Sequence, residues 1–184
     1  MNQTEPTESP WRRRSRRVVY DNPWLDVYHD EVDRPDGQPG IYGVIHFRNH
    51  AVAIVAIDEL DRVALVGQWR YTLDAYSWEL PEGGVPPGES PLAGAQRELQ
   101  EETGLGAGRW REIARIAVSN SVTDELGTIF LATELVEGPA SPDGTEQLTV
   151  QWLPFDAALA LIDSGRITDL LSIAALERVA RLRR

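Results

Sequence analysis

The 184-residue chain contains no cysteine. That absence removes disulfides, thiolate metal sites and cysteine nucleophiles together. Histidine is scarce as well. His29, His46 and His50 show no i, i+4 pairing on a helix, so a histidine-based zinc site is not expected. Any metal here has to be held by oxygen. No apolar run approaches the roughly 20 residues a membrane-spanning helix needs. The Arg cluster is not followed by an apolar leader before Tyr20, and Glu5 and Glu8 argue against a transit peptide. These features predict a cytoplasmic protein that does not engage a membrane. Positive charge is in deficit: 18 Lys+Arg stand against 29 Asp+Glu, a net −11. Binding to nucleic acid rests on neutralising phosphates, so nucleic acid is not expected as a partner.

What the chain does contain is an ordinary globular composition, 42% hydrophobic and 26% charged, sized for one compact domain with a small appendage. Residues 1–16 are rich in Pro, Glu, Thr and Ser and read as a disordered lead-in. The run Arg12-Arg13-Arg14-Ser15-Arg16-Arg17 reads as part of a solvated tail. Residues 17–50 then form an N-terminal group of strands. Trp24–Val32 alternates, and Ile41–Phe47 follows a turn cluster containing Pro35, Gly37, Pro39 and Gly40. Residues 51–184 make up the main domain. Ala51–Ile57 is apolar throughout, as a strand buried on both faces would be. Arg62–Gly67, after the turn at Asp58–Asp61, is expected to return as its hairpin partner. A short strand at Ser77–Leu80 leads into a Gly/Pro-rich loop from Pro81 to Glu89. Further strands are predicted at Arg111–Val118, Thr128–Thr133 and Gln147–Leu153. Two amphipathic helices follow, near Phe155–Asp163 and Asp169–Arg183. Strands interleaved with helices predict an α+β fold, an α/β/α sandwich around a mixed central sheet with a small N-terminal β-sheet subdomain.

The helix of most interest spans Ser90–Thr103, with Ser90 as N-cap, Pro91 in the first turn and Gly104 placed to end it. It is crowded with acids. At about 100° per residue, Glu98, Glu101 and Glu102 fall within an arc of roughly 100° beside the apolar stripe of Leu92, Ala95 and Leu99. Like charges one turn apart repel by a few tenths of a kcal/mol, roughly, and by more when half buried. Arg97 can relieve Glu101 at i+4, but Glu98 and Glu102 have no cation on their own helix. A solvated face is the ordinary explanation of such a run. The apolar border, together with Gly83-Gly84 and Glu89 just upstream, points instead to carboxylates converging on a hard divalent cation.

The spacing is also specific. Gly83, five residues, Glu89, seven residues, then Arg97-Glu98-Leu99-Gln100-Glu101-Glu102-Thr103-Gly104-Leu105 resembles the Nudix box, G-x5-E-x7-R-E-U-x-E-E-x-G-U with U aliphatic, at every fixed position. Gln68-Trp69-Arg70-Tyr71 and Trp78-Glu79-Leu80-Pro81-Glu82-Gly83-Gly84 are similar to segments of the ADP-ribose and nucleoside-diphosphate-sugar branch of that family.

The resemblance implies a Mg²⁺- or Mn²⁺-dependent pyrophosphohydrolase. Glu98 and Glu102 would be metal ligands, Glu101 a ligand or a group beside one, and Glu82 a contributor through its backbone carbonyl. Arg97 would orient the glutamates, and Glu89 would bond within the loop–helix unit. The general base would lie on Ser119–Glu125, with Glu125 first and Asp124 and Glu101 behind it. Arg70 is the candidate diphosphate contact and Trp24 the candidate to stack on the base, although a surface ion pair and simple packing are their ordinary uses.

After Pro91 the next proline is Pro139, and no tyrosine follows Tyr76. The proline that ADP-ribose hydrolases carry beyond the box and the tyrosine of dinucleoside-polyphosphate hydrolases are therefore both missing. The resemblance then favours an NDP-sugar, cleaved to a nucleoside monophosphate and a sugar 1-phosphate, over ADP-ribose. A non-catalytic sugar-nucleotide sensor and an RNA-end hydrolase are weaker alternatives. Relatives of this kind are commonly homodimers through their N-terminal strands, which casts residues 17–50 as a dimerisation subdomain.

Overall fold

The computed structural model describes residues 7–139 and 147–184, so the loop expected around Pro142 and Gly144 lies outside the described residues. The chain divides into two compact units. One takes the N-terminal residues up to Arg48 together with Ser119–Glu125; the other takes Asn49–Val118 and Leu126–Arg184.

The N-terminal unit is built on an antiparallel meander of β1 (Arg12–Asp21), β2 (Leu25–Asp33) and β3 (Pro39–Phe47), in the order β1-β2-β3. The Asn22 side chain accepts the N–H groups of Trp24 and Leu25 at 2.8 and 2.9 Å and so turns β1 into β2. Strand β1 corrects the expected tail, because it begins at Arg12, inside the stretch read as disordered. The reason is a set of partners far along the chain. Arg16 donates to both oxygens of Asp30 at 2.7 Å, and Arg12 and Arg14 both pair with Asp33. A run of arginines looks solvated until a neighbouring strand supplies the acids.

The second unit holds two sheets. β7 (Glu82–Val85), β4 (His50–Ala56), β9 (Leu126–Glu137) and β8 (Leu105–Ala117) make a four-stranded sheet in that order. β10 (Thr149–Pro154), β5 (Arg62–Arg70) and β6 (Ala75–Glu79) make a three-stranded one. The expected β4–β5 hairpin does not form beyond one bridge, Ile57 to Val63. Both edges of β4 are already taken, by β7 antiparallel and by β9 parallel, and β5 therefore joins the other sheet. The Gly/Pro-rich loop likewise contains β7, a strand too short and too glycine-rich to show a period.

Strand β4 is buried on both faces, as its apolar run requires. Val52, Ile54 and Ala56 pack with Ala95 and Leu99 of α1 (Pro91–Thr103). Val55 and Ile57 face the other way, into a core with Phe155 and Ala158 of α2 (Phe155–Asp163) and with Leu176 and Val179 of α3 (Leu170–Leu182). The result is the layered α+β sandwich expected. Helix α1 has the expected limits: Ser90 Oγ accepts from the Ala93 N–H, and Gly104, at φ 73°, closes the C-terminus in the left-handed region.

Candidate active site

Arg97 ties helix α1 to strand β7. Its Nη2 donates to the Gly84 carbonyl at 2.9 Å and to Glu89 at 3.1 Å, while Nη1 donates to Glu98 at 2.8 Å and to Glu101 at 2.9 Å. Its bonds to Glu89 first, then to Glu98 and Glu101, hold the guanidinium pKa above its ordinary value against partial burial. The i, i+4 contact with Glu101 is the one helical geometry allows. The bond to Glu98 corrects the expectation that its own helix offers Glu98 no cation, because a side chain as long as arginine's also reaches its i+1 neighbour.

The acids are not a solvated face. Glu102 is 4% exposed and accepts the Glu82 N–H at 3.1 Å. The Glu98 side chain is 13% exposed, and its carboxylate lies over Gly83 so closely that any Cβ there would overlap it. This is a physical reason for glycine at the head of the box. Glu101 is the more open of the three, at 39%.

A second cluster adjoins the first at the β6–β7 corner. Arg70 Nε bonds both oxygens of Glu79, at 2.9 and 3.0 Å, and Nη2 reaches Glu79 again and Glu82 at 2.7 Å. Burial works against the Arg70 charge, but its bonds to Glu79 and the fields of Glu79 and Glu82 outweigh it and raise its pKa. Glu82 is pushed the other way. Desolvation, then the negative charges of Asp169, Glu79 and Glu102, lift its carboxyl well above the ordinary carboxylate range, and Arg70 only partly offsets them. Its Oε2 is buried without a hydrogen-bond partner among the described residues. The corner is pinned from behind: the Leu80 N–H donates to Ser172 Oγ at 2.8 Å, and the Ser172 N–H donates to the α3 N-cap Asp169 at 2.7 Å.

Since the raised Glu82 carboxyl is more easily protonated folded than unfolded, its contribution to stability is fully present below the ordinary value of 4.5. It is lost as pH rises through the higher folded-state value. Glu82→Gln should therefore raise the melting temperature in EDTA at pH 8, with little gain at pH 4.5. A gain independent of pH would show that Glu82 carries no buried charge.

The oxygen donors suit a hard cation: a partnerless buried carboxylate oxygen on Glu82, and two shielded glutamates on the adjoining helix. Among the described residues no three acidic or histidine side chains stand as a ready-made cage, and Arg97 pairs with both Glu98 and Glu101.

Of the residues anticipated for the site, Arg70, Glu82, Arg97, Glu98, Glu101 and Glu102 all fall in the second unit, in these two clusters. Trp24, 68% exposed, and the partly buried Glu125 belong to the N-terminal unit. Glu79, Asp169 and Ser172 were not anticipated. Glu79 stood in view within Trp78–Gly84, but nothing local marks its pairing with Arg70 or the span of 92 residues from Leu80 to Ser172.

A family model described as the NUDIX domain matches residues 47–171, well over half of the chain. The chain belongs to the Nudix family. Residues 11–45 match a second model, the nucleoside diphosphate sugar hydrolase N-terminal domain. Among curated relatives, a CMP-5'-(N-acetyl-N-hydroxy-3-aminopropyl)phosphonate hydrolase of Streptomyces rubellomurinus is 33% identical over 158 residues, covering 85% of this chain and 75% of that one. An ADP-ribose pyrophosphatase of Mycobacterium tuberculosis is 34% identical over 151 residues, covering 80% and 72%. The fold matches a crystal structure of an ADP compounds hydrolase with a TM-score of 0.86, covering 97% of this chain and 96% of that one at 21% identity. This Nudix chain is a pyrophosphohydrolase. Nudix hydrolases generally use divalent metal ions. Among the described residues no helix is long and apolar enough to cross a membrane.

Proposed function

We propose that this Nudix enzyme hydrolyses the diphosphate of a nucleoside-diphosphate sugar, releasing a nucleoside monophosphate and a sugar 1-phosphate, in the cytoplasm. The observation that carries the chemistry is the shielded pair Glu98 and Glu102, braced by Gly83, Arg97 and the Glu82 N–H. The match of residues 11–45 to the nucleoside diphosphate sugar hydrolase N-terminal domain supports the substrate class. ADP-ribose is the second reading, favoured by the name of the Mycobacterium tuberculosis relative.

Mg²⁺ or Mn²⁺ would be held by Glu98 and Glu102, with Glu82 and Glu101 beside them, and would supply the positive charge that a diphosphate under attack requires. The chain's own residues do the rest. Arg97 keeps Glu98 and Glu101 aligned through the two bonds of its Nη1. Arg70, with Nε and Nη2 committed to Glu79 and Glu82, offers Nη1 to a phosphate oxygen. Glu125 takes the proton of the attacking water, and Trp24 stacks on the base.

The same reading makes the enzyme a homodimer through its N-terminal strands. What supports it is that of residues 12–47 only Asp30 and Val32 are buried, while Val18, Val19, Tyr20, Trp24 and Ile41 are exposed, the kind of apolar side chains that a second copy would cover.

The test is a panel of NDP-sugars and ADP-ribose with Mg²⁺ or Mn²⁺. We expect kcat/KM for the best NDP-sugar to exceed that for ADP-ribose by about tenfold or more. Faster cleavage of ADP-ribose than of any NDP-sugar would reverse the two readings. Binding without turnover of any member would make the protein a sensor.

A further inference from the structure

Strand β3 does not end the N-terminal sheet. Its outer edge carries the segment Ser119–Glu125, which lies between β8 and β9 in the chain. The Ile45 N–H donates to the Val122 carbonyl at 2.9 Å, the Asp124 N–H donates to the Ile45 carbonyl at 3.3 Å, and Ile45 pairs in parallel with Thr123. Tyr42 Oη donates to the Ser121 carbonyl at 2.7 Å. Side chains complete the attachment at Asp124. One carboxylate oxygen accepts the Phe47 N–H at 3.2 Å, and the other lies 2.6 Å from His46 Nδ1.

His46 is itself held in place. In the β2–β3 register Asp26 faces His46 and Tyr28 faces Val44, so Tyr28 and His46 are diagonal neighbours on one face. Their rings stack at 5.7 Å with planes 23° apart. One strand further, the Arg16 guanidinium carbon lies 4.2 Å from the centre of the Tyr28 ring, and Arg16 is fixed by its two bonds to Asp30, a carboxylate 4% exposed. A contiguous line, Asp30–Arg16–Tyr28–His46–Asp124, thus crosses all three strands and ends on the residue before Glu125. It also gives a use to the arginine-rich stretch, which the hydrolytic site leaves unexplained.

We infer that His46 is a positioning residue for turnover: backed by Tyr28 and Arg16, it holds Asp124 and so sets the backbone of the loop that presents Glu125. This rests on the proposed role of Glu125 as the base. Asp124, a runner-up for that role in the sequence, is engaged by His46 and by the Phe47 N–H, which makes it the loop's anchor. The His46–Asp124 pair is about half exposed, so its worth as an ion pair is small. Its effect is on geometry, where a displaced catalytic group costs rate out of proportion to the energy of the contact.

The experiment uses the full chain. In His46→Ala we expect kcat to fall about tenfold or more with KM within roughly threefold, since the loop is misplaced while the helix α1 acids are untouched. Amide exchange in 119–125 should quicken, with β4 and α1 protected as before. His46→Asn, whose side-chain amide can stand where Nδ1 stood, should recover most of the rate. Added to Glu125→Gln, the His46→Ala change should cost little more, because both act through one group. Unchanged kcat in His46→Ala, whether or not exchange quickens, overturns the proposal and makes the contact merely structural. Global loss of protection in His46→Ala with no rescue by His46→Asn overturns it also. A fall in kcat for His46→Ala beside a fully active Glu125→Gln supports the positioning of the loop and removes Glu125 as the base.

Discussion

Glu98→Gln and Glu102→Gln should each lower kcat by on the order of a thousandfold, about 4 kcal/mol of transition-state stabilisation, with the fold intact. The isosteric amide keeps the volume of a nearly buried side chain, and at position 102 it can still accept the Glu82 N–H. It removes a negative charge from a cluster that holds Glu82, Glu98, Glu101 and Glu102. The apo protein should therefore melt at or slightly above the wild-type temperature. What is lost is the hard, charged oxygen donor a divalent ion requires. A second readout is independent of turnover: Mg²⁺ or Mn²⁺ should raise the melting temperature of the wild type by mass action, and by much less in either variant. Wild-type turnover in either variant, with an undiminished thermal response to metal, would remove that residue from the ligand set.

Arg97→Ala should be the most damaging single change to this site as a structure. It leaves Glu89, Glu98 and Glu101 without their shared cation and the Gly84 carbonyl without its donor. Losing bonds to charged groups in a half-buried setting costs about 2–3 kcal/mol, which for a chain of this size lowers the melting temperature by roughly 4–12 °C. Activity should fall at least as steeply as in the glutamate variants, because the acids lose both charge balance and alignment. Added Mg²⁺ should recover part of the stability, since a divalent ion can replace the missing positive charge. Arg97→Lys should regain little: a point charge cannot bridge β7, Glu89 and two helical acids as a planar fork does. A melting temperature within about 1 °C of wild type for Arg97→Ala would show that the guanidinium does not hold this corner together.

Parts of the molecule encoded over a few neighbouring residues were legible without coordinates. The limits of α1 followed from Ser90, Pro91 and Gly104, because caps act on backbone groups one to three residues away. The burial of β4 on both faces followed from an unbroken apolar run, and the closeness of Glu98 and Glu102 from the pitch of a helix. The box was legible for the same reason, since its spacing reflects one glycine-led strand and one helical turn. The layered fold class came with the alternation of strands and helices.

Other features depend on which strand lies beside which. Ala51–Ile57 has the composition of a hairpin partner for Arg62–Gly67, but β7 and β9 compete for its two edges and win. Arginines 12–16 look solvated until Asp30 and Asp33 face them across β1 and β2. The bonds Arg70–Glu79, Leu80–Ser172 and His46–Asp124 join residues 9, 92 and 78 positions apart, and no periodicity connects such pairs. Helix pitch and capping chemistry therefore established, from residue order alone, which acids could share an ion. Long-range strand pairing and packing, which close loops no local rule can anticipate, decided that Arg70 pairs with Glu79 and Glu82 and that the N-terminal sheet holds the loop that bears Glu125.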